Sequence, residues 1–187
     1  MLQIVGVAFA QYSNGSNAFT YLNQLNNARA AAVGGRLYAI NDKDICLTLD
    51  QPALVNTSQA LQFHSSLGVL PSGVRYGMFV SAVKTKWGVF APYVRYMNYG
   101  NFTQTDATGQ ATGTFNALDY NIGSSYAYTP NPYFKLGAQL NLLGSQLERY
   151  SAFALAFQFS ALLVHPNEQF MASVGLRNAG FVFKDYT

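Results

Sequence analysis

Apolar and polar positions alternate with a period of two over most of the chain from Ala60 onward. The alternation is clearest in residues 133–146, where one set of positions is apolar: Phe134, Leu136, Ala138, Leu140 and Leu142. The positions between them are Lys135, Gly137, Gln139 and Asn141. Because successive side chains of a β-strand point to opposite faces, this pattern predicts strands with one apolar and one polar face. Seven strands are predicted, over residues 60–67, 74–83, 87–97, 115–128, 133–146, 150–164 and 169–178.

The first 59 residues follow a different pattern. Residues 1–10 end in the small-x-small sequence typical of signal-peptidase sites, so they are interpreted as the remnant of a signal peptide, with a short buried strand as the alternative. Residues 11–59 are predicted to form an N-terminal segment of turns and one short helix. The helical spacing of Phe19, Leu22 and Leu25 places that helix within residues 18–32, before Gly34 and Gly35 end it.

Three features favour an outer-membrane β-barrel over residues 60–187, although a soluble β-sandwich shows the same alternation. Several predicted strands reach the roughly 9–11 residues needed to cross a bilayer at a tilt. Their polar faces carry glycine and neutral amides instead of Lys and Glu. Tight turns at 84–86, 129–132 and 165–168 contrast with a long link at 98–114. Tyrosines near the strand ends suit an interfacial girdle: Tyr93, Tyr96, Tyr99, Tyr126, Tyr128, Tyr133 and Tyr150.

Composition agrees with a wall between lipid and a polar lumen. Charged residues make up 10% of the chain, against about 25% in typical soluble domains. The mean hydropathy is only +0.06, because Gly, Ser, Asn, Gln and Thr provide polarity without charge. No apolar run reaches the roughly 18 residues of a membrane helix. The predicted fold is therefore an all-β, antiparallel barrel in the cell outer membrane, with lipid as its surroundings.

The predicted strand count raises the question of closure, because single-chain bacterial barrels have even strand numbers. Residues 36–40 or 45–49 would supply an eighth strand. Alternatively, the chain is a fragment of a larger barrel, in which residues 181–187 lead into a further strand. The fragment is the preferred interpretation.

Four basic residues fall inside the predicted strands: Arg75, Arg95, Lys135 and Arg177. Facing lipid at mid-depth, each would cost roughly 2–4 kcal/mol. We therefore predict that their side chains point into the lumen or lie near a rim.

The sequence offers no support for catalytic or metal chemistry. It contains no recognised catalytic motif, and His64 and His165 lie on separate segments. Asp42 and Asp44 share a turn that lacks the glycine and closing glutamate of a calcium-binding loop. The single cysteine, Cys46, is predicted to be a buried structural thiol. The basic residues form no cluster, so nucleic acid is not an expected partner. We expect a noncatalytic protein without a metal or cofactor.

Several passages resemble the PorQ family of the type IX secretion system. Residues 25–35 (LNNARAAAVGG) and 50–55 (DQPALV) are similar to the amino-terminal signature of that family and of related PorV and fatty-acid-transporter-like barrels. Gln51 stands where the family usually has Asn. Further passages that resemble the family are residues 96–102 (YMNYGNF), 144–150 (GSQLERY) and 176–180 (LRNAG).

The resemblance implies a barrel of about fourteen strands, of which this chain would contain the first half, and a noncatalytic part in type IX secretion in Bacteroidota-type bacteria. PorQ-like barrels are thought to anchor a surface partner, PorZ, and to join an attachment complex with PorU and PorV. On this basis the long link at 98–114 is expected to hold the partner, with Tyr99, Phe102 and Asp106 as candidate contacts. The alternative is an outer-membrane transporter of hydrophobic small molecules.

Overall fold

The computed structural model describes residues 19–24, 27–70, 72–167 and 169–186. The predicted signal-peptide remnant at residues 1–10 lies outside the described residues. Among the described residues, no helix has both the length and the hydrophobicity to cross a membrane.

The described chain is dominated by one antiparallel sheet, which confirms the predicted all-β fold. Its strands run in the order β1-β2-β4-β5-β6-β7-β8, with the short β3 paired to β4. β1 and β8 form the two edges, and the described residues contain no pairing between them. The strands are β1 Phe63–Val69, β2 Arg75–Ser81, β3 Val83–Thr85, β4 Gly88–Thr105, β5 Ala111–Asn131, β6 Phe134–Leu147, β7 Tyr150–Val164 and β8 Met171–Lys184.

The predictions for the N-terminal segment need correction. The helix expected over residues 18–32 is divided into a 3₁₀ helix, Thr20–Asn23, and a short α-helix α1, Ala28–Ala32. The side chain of Asn27 caps α1 by accepting from the backbone N–H groups of Arg29 and Ala30. Residues 36–40 form no strand. The other candidate for an eighth strand is a 3₁₀ helix, Ile45–Leu49, which is followed by the 3₁₀ helices Pro52–Leu54 and Thr57–Gln59.

The sheet has an inner face, which the N-terminal residues cover, and an outer face, which they leave exposed. The inner segment (residues 45–59) packs its apolar side chains on this inner face in two clusters. One joins Ile45, Cys46 and Leu49 to β2 and β4. The other joins Leu47, Ala53 and Leu54 to β7. The inner segment therefore covers the inner face of the sheet from β2 to β7.

A glycine permits the closest approach between the inner segment and the sheet. A Cβ atom on Gly137 of β6 would lie 2.7 Å from the Cα atom of Ala53, and closer still to the backbone of Pro52. The N–H group of Ala53 donates to the Ser160 hydroxyl at 3.0 Å. Only a residue without a side chain allows this backbone to rest directly on β6.

The three tight turns predicted from the sequence lie at the same end of the sheet. They follow β3, β5 and β7, and antiparallel strands alternate in direction. The prediction that residues 98–114 form a long loop was wrong. Those residues extend β4 and β5 as a hairpin, which turns at residues 106–110. The tail at residues 181–184 completes β8 instead of starting a further strand.

Candidate functional site

The outer face is apolar and exposed along three neighbouring strands, β5, β6 and β7. On β6, Leu136, Leu140 and Leu142 are exposed, whereas Gln139 and Asn141 between them are buried. β5 and β7 show the same arrangement in register with β6. The outward positions of these three strands carry no charged side chain. This distribution is the reverse of a soluble protein, in which exposed strand positions are mostly polar.

Exposed aromatic residues lie near both ends of the outer face, as the predicted girdle requires. Trp87, Tyr128 and Tyr133 lie at the end with the tight turns, and Tyr96 and Tyr150 lie nearer the opposite end. The sequence prediction was wrong for two tyrosines of the girdle, Tyr93 and Tyr99. Their side chains lie on the inner face.

The inner face carries a buried network of neutral polar side chains. The Gln139 amide donates to the Tyr93 hydroxyl at 2.6 Å, and the Ser125 hydroxyl donates to the Gln139 carbonyl at 2.9 Å. The Tyr93 hydroxyl and the Asn121 amide both donate to Asn141. These bonds join β4, β5 and β6 and satisfy polar groups that burial removes from water.

Asp50 links the inner segment to Arg36 and to β8, at one edge of the sheet. Its carboxylate forms ion pairs with Arg36 at 2.9 Å and with Arg177 of β8 at 3.2 Å. Arg177 also donates to the Tyr38 hydroxyl at 2.7 Å. Both arginine side chains and the carboxylate are largely shielded from solvent. The passage at residues 50–55 gave no indication of these ion pairs, because Arg177 lies 127 residues away along the chain.

Three of the four basic strand residues lie on the inner face, and Arg75 lies on the outer face at the end of a strand, which agrees with the prediction of an inward or rim position. Arg95 is buried on the inner face and Arg177 pairs there with Asp50. Arg75 begins β2 at the end of the sheet. Lys135 lies near the end of β6 and donates to the Asn41 side chain at 2.8 Å.

The β4–β5 hairpin projects beyond its neighbours. Pairing of β4 with β2 ends at Asn98, and pairing of β5 with β6 ends at Ala117, whereas β4 and β5 stay paired as far as Thr105. The projecting ribbon of about six residue pairs has a length of roughly 20 Å. It lies at the end opposite the tight turns.

The three candidate contact residues occupy distinct positions on this hairpin. Tyr99 is partly buried, and its hydroxyl donates to the Asp119 carboxylate at 2.7 Å. Phe102 remains 43% exposed and stacks on Phe115, with 5.3 Å between ring centroids. Asp106 accepts from the Thr108 hydroxyl and from backbone N–H groups, and these bonds hold the pKa of the Asp106 carboxyl below its usual value. The carboxylate thereby fixes the shape of the tip.

A cavity of about 370 Å³ lies at the base of the hairpin. Tyr99, Phe102 and Phe115 form part of its wall, so the structure brings two of the three candidate residues together. Asp119, Ser145 and Tyr186 also line it. Asp119 could have been identified from the sequence, because it is the one acidic residue at an inward position of β5.

Cys46 is buried, as predicted, with 3% of its surface exposed. Burial raises the pKa of the Cys46 thiol, and the carboxylate of Asp44 adds to the shift. Asp42 and Asp44 pair with Arg29, at 2.6 Å and 3.8 Å. Within the described ranges, no group of His, Cys, Asp or Glu side chains has the geometry of a metal site.

A scan against protein-family models found no match to the chain, and a search of curated proteins found none.

Proposed function

We propose that this chain forms part of the wall of an outer-membrane β-barrel and is a noncatalytic component of a type IX secretion system. In this role the β4–β5 hairpin holds a cell-surface partner of the attachment complex, comparable to PorZ, while PorU-like and PorV-like proteins complete the complex. The observation that carries the proposal is the apolar, exposed outer face of a sheet whose inner face is covered by N-terminal residues and carries a buried polar network across β4, β5 and β6.

The strand dimensions support a place in the membrane. β5, β6 and β7 contain 21, 14 and 15 residues, and about 9–11 residues cross a bilayer at a tilt. In water, an exposed apolar surface as extensive as this one favours aggregation. In a bilayer the same side chains meet hydrocarbon. Neighbouring strands satisfy one another's backbone groups, and the two edge strands, β1 and β8, need pairing with further strands.

The covered inner face supports anchoring over transport. Residues 45–59 fill the space against β2, β4 and β7 with buried side chains. The small cavity between Arg95 and Arg177 has a volume of only about 10 Å³, close to the size of a single water site. A transporter of hydrophobic molecules needs an apolar passage, and the described polar network on β4, β5 and β6 provides the opposite environment.

The passages that resemble the PorQ family have structural roles that tie the inner segment to the sheet. Asn27 caps α1, and Gly34 adopts a φ of 82° just after it ends. Pro52 and Ala53 rest on Gly137 of β6. The carboxyl-terminal passage contributes the arginine that pairs with Asp50. One departure from the family is visible, because Gln51 makes no side-chain cap for the 3₁₀ helix that follows it.

The experiment that tests the proposal is affinity purification of the full chain from bacterial outer membranes, with and without the hairpin. In the test variant, Asn-Gly replaces residues 102–115, because Asn101 and Asn116 are paired and a two-residue turn can join them. In the matched control, Asn-Gly replaces residues 165–170 at the opposite end, between the paired Val164 and Met171.

We expect the unmodified chain and the control to recover PorZ-like, PorU-like and PorV-like proteins, and the test variant to reach the membrane without them. Equal recovery by the test variant would refute the role of the hairpin. A co-purified lipid with no protein partner would favour a transporter of hydrophobic molecules instead.

A further inference from the structure

The cavity at the base of the hairpin combines a buried carboxylate with aromatic walls. Asp119 is 6% exposed and accepts from two hydroxyl groups, those of Tyr99 and Ser145. Ser145 in turn shares a 2.6 Å hydrogen bond with the Tyr186 hydroxyl. Among the ion pairs of the described residues, none includes Asp119. Within that part of the chain, the carboxylate therefore has hydroxyl partners but no cation in direct contact.

The aromatic walls supply the second half of the recognition chemistry. Phe102 and Phe115 stack beside the cavity, and the ring of Tyr99 lies on the same side. The face of an aromatic ring attracts ammonium and guanidinium groups, with a gain of about 0.5–1 kcal/mol at exposed sites. A carboxylate at the wall adds a charge-assisted hydrogen bond to the same groups. A fatty acid would instead bring its own carboxylate toward Asp119, which disfavours an anionic ligand.

We propose that this cavity binds a basic side chain, Lys or Arg, presented by an extended segment of the surface partner. The proposal rests on the proposed function, since it names the chemistry by which the hairpin holds its partner. The volume of about 370 Å³ lies at the lower end of the range for ligand pockets, about 300–1,000 Å³, and suits one long side chain better than a larger molecule. The negative charge of Asp119 in the wall makes the cavity selective for a cation.

The test uses two small probes and the full chain in detergent micelles, followed by ligand-observed NMR titration. N-acetyl-arginine amide carries the guanidinium group, and N-acetyl-citrulline amide is its neutral isostere. We expect the arginine probe to bind at least about tenfold more tightly, the factor that corresponds to 1.4 kcal/mol. Equal binding of the two probes to the unmodified chain would overturn the proposal without any need for a variant.

Variants locate the binding to the cavity. Asp119→Asn keeps one acceptor oxygen and presents an amide N–H₂ group to the other hydroxyl, and it is expected to remove the preference for arginine over citrulline. Phe102→Leu is expected to weaken arginine binding about two- to fivefold, as loss of a cation–π contact predicts. Phe153→Leu, on the outer face, is a matched control because both phenylalanines are 43% exposed. Asp42→Asn removes a carboxylate that pairs with Arg29 and does not line the cavity, and it controls for charge.

Unchanged arginine binding in the two controls supports the cavity as the site. An equal loss in Phe153→Leu, or a preserved preference in Asp119→Asn, would contradict it. The result is separable from the proposed function. If shortening the hairpin removes the partner but Asp119→Asn does not weaken capture, only the basic-side-chain proposal fails. If shortening the hairpin leaves capture intact, the anchoring function fails.

Discussion

Gly137 should be intolerant of any side chain, because the backbone of residues 52–53 lies where its Cβ would be. In Gly137→Ala, the inner segment must move away from β6. Overpacking of this kind costs about 1–3 kcal/mol. The displacement also breaks the hydrogen bond from the Ala53 N–H to the Ser160 hydroxyl, which contributes about 1 kcal/mol. The inner segment should therefore be less stable on the sheet by about 2–4 kcal/mol.

Cys46 reports this change directly, because it is the only cysteine and is buried in the same segment. If labelling requires the segment to open, a loss of about 2–4 kcal/mol raises the maleimide reaction rate at Cys46 by about 30-fold to several hundredfold. Gly35→Ala is the control, since no atom lies within 4 Å of the position that its added methyl group would occupy. An unchanged rate in Gly137→Ala, or the same increase in Gly35→Ala, would refute the packing described here.

Three further predictions concern the outer face, the ion pairs and pH. Leu142→Arg should reduce the stability of the folded chain in lipid by roughly 2–4 kcal/mol, measured by urea titration, with Leu142→Ile nearly neutral. Asp50→Asn should lower the unfolding midpoint, by about 1–3 kcal/mol in free energy, because two arginines lose their carboxylate. The Arg29 guanidinium lowers the pKa of the Asp42 carboxyl. The ion pair between them should therefore stabilise the fold above the usual carboxyl pKa, and this stabilisation should disappear as pH falls through the lowered pKa. Arg29→Gln should reduce that acid dependence in unfolding experiments between about pH 2 and 6, because Arg29 is the largest cause of the lowered pKa.

The sequence was most informative where one face of a strand is apolar and the other is polar. In β6 and β7 every second residue is apolar, so both the strands and the orientation of their side chains could be predicted. β4 was harder, because Tyr93 and Met97 on the inner face alternate with Val94 and Tyr96 on the outer face. With apolar residues on both faces, the sequence did not show which side Tyr93 would take.

The N-terminal segment and the hairpin were predicted less well, for two physical reasons. Residues 45–49 are buried on all sides, and a short apolar run of this kind fits either a strand or a helix. The hairpin beyond Asn98 is rich in Thr, Gly and Gln, so it lacks the apolar alternation that identifies a strand. Its stacked pair, Phe102 and Phe115, becomes visible only once the register of β4 and β5 is known.

The central claim is that the outer face of the sheet contacts lipid hydrocarbon, and fluorescence quenching in vesicles tests it most directly. In a Trp87→Phe background, which removes the only native tryptophan, Leu140→Trp places a single reporter at the middle of β6 on the outer face. We predict strong quenching by lipids brominated deep in their acyl chains and weak quenching by aqueous iodide. Strong quenching by iodide, with none by the brominated lipids, would contradict the account.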